Sequence, residues 1–174
     1  MSAEKWDILS ADGRPTGRTV LRGQNLLKAG EYHLVVHIWI VSPGGEYLIQ
    51  RRSDHKKLMP GEWAATGGAA MAGEGSFAAA QRELHEELGI RSTRESLKKL
   101  LRIRRKNSLL DVWLIRQDVP IHALKLQKSE VAEAKWITKD RLFSMIATGE
   151  FHHYGQDYFD SVFSKIEEYR GAVL

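Results

Sequence analysis

The chain contains no cysteine, which excludes disulfides, thiolate metal sites and cysteine nucleophiles. It also lacks any long apolar run. The longest stretch, Leu34 to Val41, is interrupted by His37 and falls well short of the ~18 residues needed to span a bilayer. No membrane helix is expected. Met1 to Arg18 mixes Glu4, Asp7, Asp12 and Arg14 with Gly13 and Gly17, so it lacks the apolar centre of a secretory signal, and a cytoplasmic location is the expectation. Repeats, low-complexity tracts and linkers are missing too. A strong excess of one charge is also absent: the formal charge of +4 suits an anionic small molecule but does not mark a dedicated nucleic-acid surface.

What is present points to a folded protein. Hydrophobic residues at 43% beside 28% charged residues argue against disorder. The length of 174 residues makes one domain spanning 1–174, long enough to bury a sizeable core. Trp6 to Arg22 reads as two strands around the Ala11-Asp12-Gly13-Arg14-Pro15 turn, an N-terminal hairpin extension within residues 1–30. Glu31 to Ser42 alternates, with Leu34, Val36, Ile38 and Ile40 on one face and Val35, His37, Trp39 and Val41 on the other, so both faces of this strand are expected to be covered.

Pro43-Gly44-Gly45 then turns the chain into a strand from Glu46 to Arg52. Ser53 to Pro60 reads as a loop before a short strand from Glu62 to Thr66, and the Gly67-Gly68 pair opens an acidic segment. Further strands are expected at Lys98 to Lys106, Leu109 to Asp118 and Ala134 to Ile137, with Asn107-Ser108 as a turn. Helices are expected at Lys139 to Thr148 and Asp157 to Tyr169, the second with Tyr158, Val162, Ile166 and Tyr169 on one apolar face.

The acidic segment carries the chemistry. Ser76 can cap a helix running to Leu88, with Gly89 just past its end. Phe77, Ala80, Leu84 and Leu88 form an apolar stripe, and Glu83, Glu86 and Glu87 follow one another around the adjoining arc. Like charges three and four residues apart repel, so divalent cations are the simplest explanation for crowding them there. Hard cations such as Mg²⁺ take oxygen ligands and share them with substrate phosphates. Arg82 lies four residues before Glu86, near enough to pair with it.

From Gly68 to Ile90 the spacing Gly-x5-Glu-x7-Arg-Glu-apolar-x-Glu-Glu-x-Gly-apolar is met at every defined position, with Leu84 and Ile90 as its apolar members. This resembles the Nudix box, here residues 67–90, of the Nudix hydrolase superfamily. The resemblance implies an α/β fold, an α/β/α sandwich around a central mixed sheet. It also implies hydrolysis of a diphosphate linkage in a nucleoside diphosphate derivative or related organic diphosphate, using Mg²⁺ or Mn²⁺. Carried over by position, Glu83, Glu86, Glu87 and the carbonyl of Gly67 would be metal ligands. Arg82 and Glu74 would organise the loop and helix, with Gly68 and Gly89 structural.

Nudix enzymes often use a further carboxylate from a loop after the sheet. Glu130 is the candidate and Glu133 the alternative. Arg51, Arg52, Lys56 and Lys57 gather near the end of a strand, where forked arginine donors suit phosphate oxygens; Arg51, Arg52 and Lys57 are the candidate substrate-binding residues. Arg51 is favoured because it alternates with Ile49. Arg102, Arg104, Arg105 and Lys106 read as the outer face of a strand rather than an RNA surface. His33 and His37 share one strand face, where a satisfied histidine is a commoner outcome than a metal ligand. His152, His153 and Tyr154 form a polar aromatic cluster between the last two helices that either lines a base or sugar pocket or is a packed loop. Trp6 on the hairpin is a candidate pairing surface for a homodimer.

Trp6-Asp7, Glu31-Tyr32-His33 and Gln50-Arg51-Arg52-Ser53 look like the isopentenyl-diphosphate isomerase branch of the superfamily. That isomerase needs a cysteine and a metal-binding histidine where this chain has Gly67 and Ala69, so isomerisation is disfavoured. A non-catalytic nucleotide- or RNA-binding module of this fold would be signalled by lost box carboxylates, and none is lost.

Overall fold

A computed structural model of the chain describes residues 4–24 and 27–171. Its central strand is β3 (His33–Val41), in which period-two alternation sends Val36, Ile38 and Ile40 to one side and Trp39 and Val41 to the other. All five are at most 1% exposed. One edge of β3 pairs in parallel with β8 (Ser108–Arg116) along its whole length. The opposite edge is divided between β6 (Thr66–Ala69) and β4 (Tyr47–Arg52), both antiparallel. β5 (Trp63–Ala64) and β9 (Val131–Ile137) add to β4, and β7 (Leu97–Arg104) adds to β8, completing a mixed sheet of seven strands.

Helices cover both sides. α1 (Ser76–Leu88) lays Ala80, Leu84 and Leu88 against Val36, Ile38, Ile40 and Leu48. On the other side α2 (Lys139–Thr148) and α3 (Gln156–Gly171) bring Leu142, Met145, Phe159, Val162 and Ile166 onto Trp39, Val41, Tyr47 and Ile49. Each buried leucine or isoleucine is worth about 2 kcal/mol relative to exposure, so the sandwich is held by both faces of one strand pattern.

The N-terminal hairpin, β1 (Lys5–Leu9) and β2 (Pro15–Leu21), is a separate two-stranded sheet. Leu9 and Tyr32 exchange backbone hydrogen bonds of 2.7 and 2.9 Å. Asp7 accepts the Gly73 N–H at 2.7 Å, tying the hairpin to the loop before α1. Residues 1–3, 25 and 26 of the expected 1–30 extension, and residues 172–174 of the expected domain, lie outside the described residues.

Several local expectations are corrected. The short strand expected at Glu62 to Thr66 is divided, β5 pairing with β4 and β6 with β3. The Gly67-Gly68 pair that opens the acidic segment lies inside β6. A Cβ on Gly67 would sit 2.2 Å from the Val36 carbonyl oxygen, so the backbone approach that makes this strand also removes the side-chain pattern that would announce it. β9 starts at Val131, three residues before the expected Ala134. Ser108 begins β8 instead of turning, and Arg105 N–H closes the turn on the Ser108 carbonyl at 2.8 Å.

The start of α1 also differs. Gly75, with an extended backbone, occupies the N-cap, and Ser76 is the first helical residue. The Ser76 hydroxyl accepts from Trp113 Nε1 at 3.0 Å and hydrogen-bonds Asp111. Asp111, fully buried and bound by Lys99 and Arg102, thus draws the serine away from its cap. The helix end is as expected: Gly89 takes the left-handed backbone at φ 72° and its N–H meets the His85 carbonyl at 2.9 Å.

Candidate active site

A cavity of about 360 Å³ lies where α1, β3 and β6 meet the hairpin and the 53–60 loop. Its acidic wall is the α1 arc. Arg82, set among these acids, donates through Nε and Nη2 to Glu74 at 2.9 Å each and through Nη2 to the Ala69 carbonyl at 3.1 Å. Nη1 is left to bridge Glu83 at 2.9 Å and Glu86 at 3.0 Å. Burial opposes the guanidinium charge, but the hydrogen bonds of Glu74 and the charge of Glu83 outweigh it and raise the Arg82 pKa. Arg82 and Glu74 therefore clamp the loop to the helix.

Glu87 lies deepest, 3% exposed. Its Oε2 accepts from the Gln50 side-chain amide at 2.8 Å and from the Gly67 N–H at 3.2 Å. Burial, reinforced by the charge of Glu83, pushes the Glu87 carboxyl up to about 8. Burial raises Glu83 as well, against the charge and hydrogen bond of Arg82. The carboxylate of Glu83 lies over Gly68, where a Cβ would meet its Oε1 at 2.2 Å. Gly68 is thus the floor that lets Glu83 reach the cavity. Among the described residues no three acidic or histidine side chains are gathered closely enough to hold an ion as they stand. Glu83 and Glu86 meet on Arg82 instead.

The strand arginines are placed opposite to the preference stated for Arg51. Arg52 lines the cavity, sharing its strand face with Gln50. Arg51 pairs with Asp54 at 3.1 Å and with Glu133 at 3.6 Å, and does not line it. The alternation was read correctly, but the face that meets α1 is the one carrying Gln50. Lys57 lines a broader adjoining depression rather than the cavity, whereas Lys56 reaches both. Lys56 Nζ pairs with Glu130, which also lines the cavity. Glu133 is half exposed on β9 and bound to Arg51, so of the two loop carboxylates only Glu130 faces the acidic arc.

Other lining residues escaped the sequence. Arg105 lies at the β7–β8 turn and lines the cavity, where reading the run as an outer strand face hid it. Trp6 stacks on His33 with ring centroids 4.3 Å apart and both line the cavity. His33 Nδ1 meets the Asn107 carbonyl at 2.9 Å. His37 is buried, its Nδ1 2.9 Å from the Tyr158 hydroxyl, and burial, aided by the charges of Arg105 and His152, pulls its pKa down to about 3. Each of the two histidines thus has its Nδ1 paired within the protein. His152 binds Glu62 at 2.6 Å and lines the cavity with Tyr154. The sequence leaves His152 and Tyr154 open between a pocket lining and a packed loop, because the outcome depends on which loops converge.

A model of the NUDIX domain matches residues 31–156. An uncharacterised Nudix hydrolase of Listeria monocytogenes is 39% identical over 152 residues, covering 87% of this chain and 89% of that protein. Among solved structures, that of DR0079 from Deinococcus radiodurans is 25% identical with a TM-score of 0.71, covering 85% of this chain and 91% of the other. The NUDIX domain of Shewanella oneidensis NrtR, solved with ADP ribose, shares the fold with a TM-score of 0.63 at 16% identity, covering 82% of this chain and 92% of the other. An intact acidic arc on α1, a sheet covered on both faces and a family match over most of the length agree, and the chain belongs to the Nudix hydrolases, enzymes that cleave diphosphate linkages.

Proposed function

We propose that this chain is a Mg²⁺-dependent hydrolase, with Mn²⁺ as a substitute, that cleaves the diphosphate linkage of a nucleoside diphosphate derivative or related organic diphosphate by water attack at phosphorus. The observation that carries the reading is Glu87, a carboxyl sealed in the cavity floor beside the charge of Glu83. A carboxylate in that position is stabilised only by a strong positive partner.

The donor set fits a hard divalent cation, since Glu83, Glu86, Glu87 and the Gly67 carbonyl are all oxygen donors. Arg82 keeps Glu74 and Ala69 through Nε and Nη2, so only its Nη1 contact with Glu83 and Glu86 has to yield. When bound, the cation withdraws charge from phosphate oxygens and acidifies a water. Gln50 and Gly67 fix Oε2 of Glu87 and so orient the whole carboxylate. Arg52 and Arg105 face the cavity as cationic donors for phosphate oxygens. Glu130, released from Lys56, accepts the proton of the attacking water, while Lys56 turns to the anionic substrate.

The test is a screen of diphosphate compounds, ADP-ribose among them, with Mg²⁺. Orthophosphate is read before and after phosphatase treatment, and pyrophosphate directly. Glu83→Gln and Glu87→Gln are expected to lose activity by a hundredfold or more, about 3 kcal/mol of transition-state stabilisation. Arg52→Ala raises KM roughly tenfold, and Arg51→Ala leaves it near wild type. Activity that survives both glutamine substitutions removes the assignment.

A further inference from the structure

His37 has two ring nitrogens, and the surrounding hydrogen bonds decide which carries the proton. Trp39 Nε1 has only a proton to give and donates it to the Tyr158 hydroxyl oxygen at 3.0 Å. That hydroxyl is buried, and among the described residues its remaining neighbour is His37 Nδ1 at 2.9 Å. If Nδ1 were the donor, the Tyr158 hydroxyl proton would be sealed without an acceptor, which is unfavourable. Nδ1 is therefore the acceptor, and a neutral imidazole must hold its proton on Nε2.

Nε2 has no protein partner among the described residues and is not one of the sealed unpartnered polar atoms. His37 lines the cavity although the residue is only 8% exposed. In the sheet it lies opposite Gly67, whose N–H holds Glu87. The same lining carries Arg52 and Arg105. Arg105 makes no ion pair among the described residues, and Arg52 spends only its Nε, on the Leu58 carbonyl at 3.1 Å. This wall offers donors where the α1 wall offers carboxylates.

We infer that His37 is a substrate-contacting residue, a fixed Nε2–H donor to a phosphate oxygen of the bound diphosphate, kept in that tautomer by the Trp39–Tyr158 chain. The inference rests on the diphosphate hydrolase reading and adds a binding residue that lies outside the box. Tyr158 and Trp39 do not touch the substrate; they position the donor. A histidine locked in this way points a single proton at the cavity and offers no lone pair to it, so it selects an acceptor-rich anion over a hydrogen-bond donor.

Nitrogen-15 NMR of the histidine rings tests this, with imidodiphosphate and Mg²⁺ as the probe and calorimetry as an independent measure of binding. The wild type is expected to show His37 protonated at Nε2, and that signal moves on saturation with the probe. Tyr158→Phe is expected to give a mixture of tautomers and weaker binding. His37→Leu raises KM for the best screened diphosphate roughly ten- to a hundredfold, the range for a hydrogen bond to a charged group, with a smaller change in kcat. His37→Gln, which restores an N–H, recovers part of it. Should the leucine variant fail to fold, the wild-type spectra still decide the matter. Calorimetric binding with an unmoved His37 signal, or a proton on Nδ1, overturns the inference and leaves the metal-site reading intact. No binding of the probe overturns both.

Discussion

Replacing Glu87 by glutamine removes a charge while keeping the shape, and the hydrogen bonds around it make the outcome calculable. The two donors to Oε2, from Gln50 and Gly67, need only a carbonyl oxygen, which glutamine supplies. The carboxyl stands at about 8 in the folded chain against 4.5 ordinarily, because of burial and then the charge of Glu83. Its folded pKa is raised, so the acid favours the folded state fully below about pH 4.5. That contribution is lost as pH rises through about 8.

In metal-free buffer the wild type should therefore lose stability relative to the glutamine variant between pH 5 and 8, the titration of Glu83 and the other groups being common to both. At pH 5 the two should unfold alike. At pH 8 the variant should be more stable by up to about 4 kcal/mol, the free energy of ionising this carboxyl in its buried site. Urea unfolding in chelator at both pH values measures this. Mg²⁺ should then restore the wild type at pH 8, with proton release on binding visible as a buffer-dependent heat, and should leave the variant unchanged. A glutamine variant less stable than wild type at pH 8, or with the same dependence on pH, would refute the reasoning.

Two further substitutions separate architecture from chemistry. Gly68→Ala meets only the movable end of Glu83, whereas Gly67→Ala meets the Val36 backbone oxygen. The first should lower activity with under about 1 kcal/mol of lost stability, and the second should lose roughly 3 kcal/mol; equal unfolding midpoints would contradict this. Asp111→Asn leaves Lys99 and Arg102 facing a neutral amide in a buried site, with an expected loss of about 3 kcal/mol at pH 7. Burial works against the Asp111 charge, but hydrogen bonds from Arg102, Lys99 and Ser76 outweigh it and hold the carboxyl below its ordinary value. Its contribution is thus present above about pH 4 and lost on acidification through the lowered pKa. Wild type and variant should therefore converge in acid unfolding curves, and a constant gap down to pH 2 would count against that account.

The parts of the molecule legible in the sequence are those set by repeating patterns. The alternation of β3 announced a strand covered on both faces, and the spacing of Phe77, Ala80, Leu84 and Leu88 announced the helix that covers one of them. Gly89 announced where that helix stops. The pairing of Arg82 with Glu86 was legible because it is local, one helical turn apart. What escaped depends on elements far apart in the chain. Gln50 reads as an ordinary strand residue until β4 is laid beside α1, and Arg105 as a strand-face cation until β7 ends before it. Ser76 carried a correct helix-start signal whose hydroxyl a distant buried aspartate claimed. Favouring Arg51 over Arg52 rested on alternation, which distinguishes two faces without saying which of them the acidic helix meets, and it is Arg52 that lines the cavity.

β6 is only four residues long, and its place is fixed by one flank of β3. A single-residue deletion between Ala64 and Thr66 would slip it by one step and exchange its two sides. Ala69 would then carry its methyl group to the spot that Gly68 keeps clear for Glu83. The acidic helix could remain fully formed while its acids lost their footing. Indels in this short stretch should therefore silence the enzyme while leaving it folded.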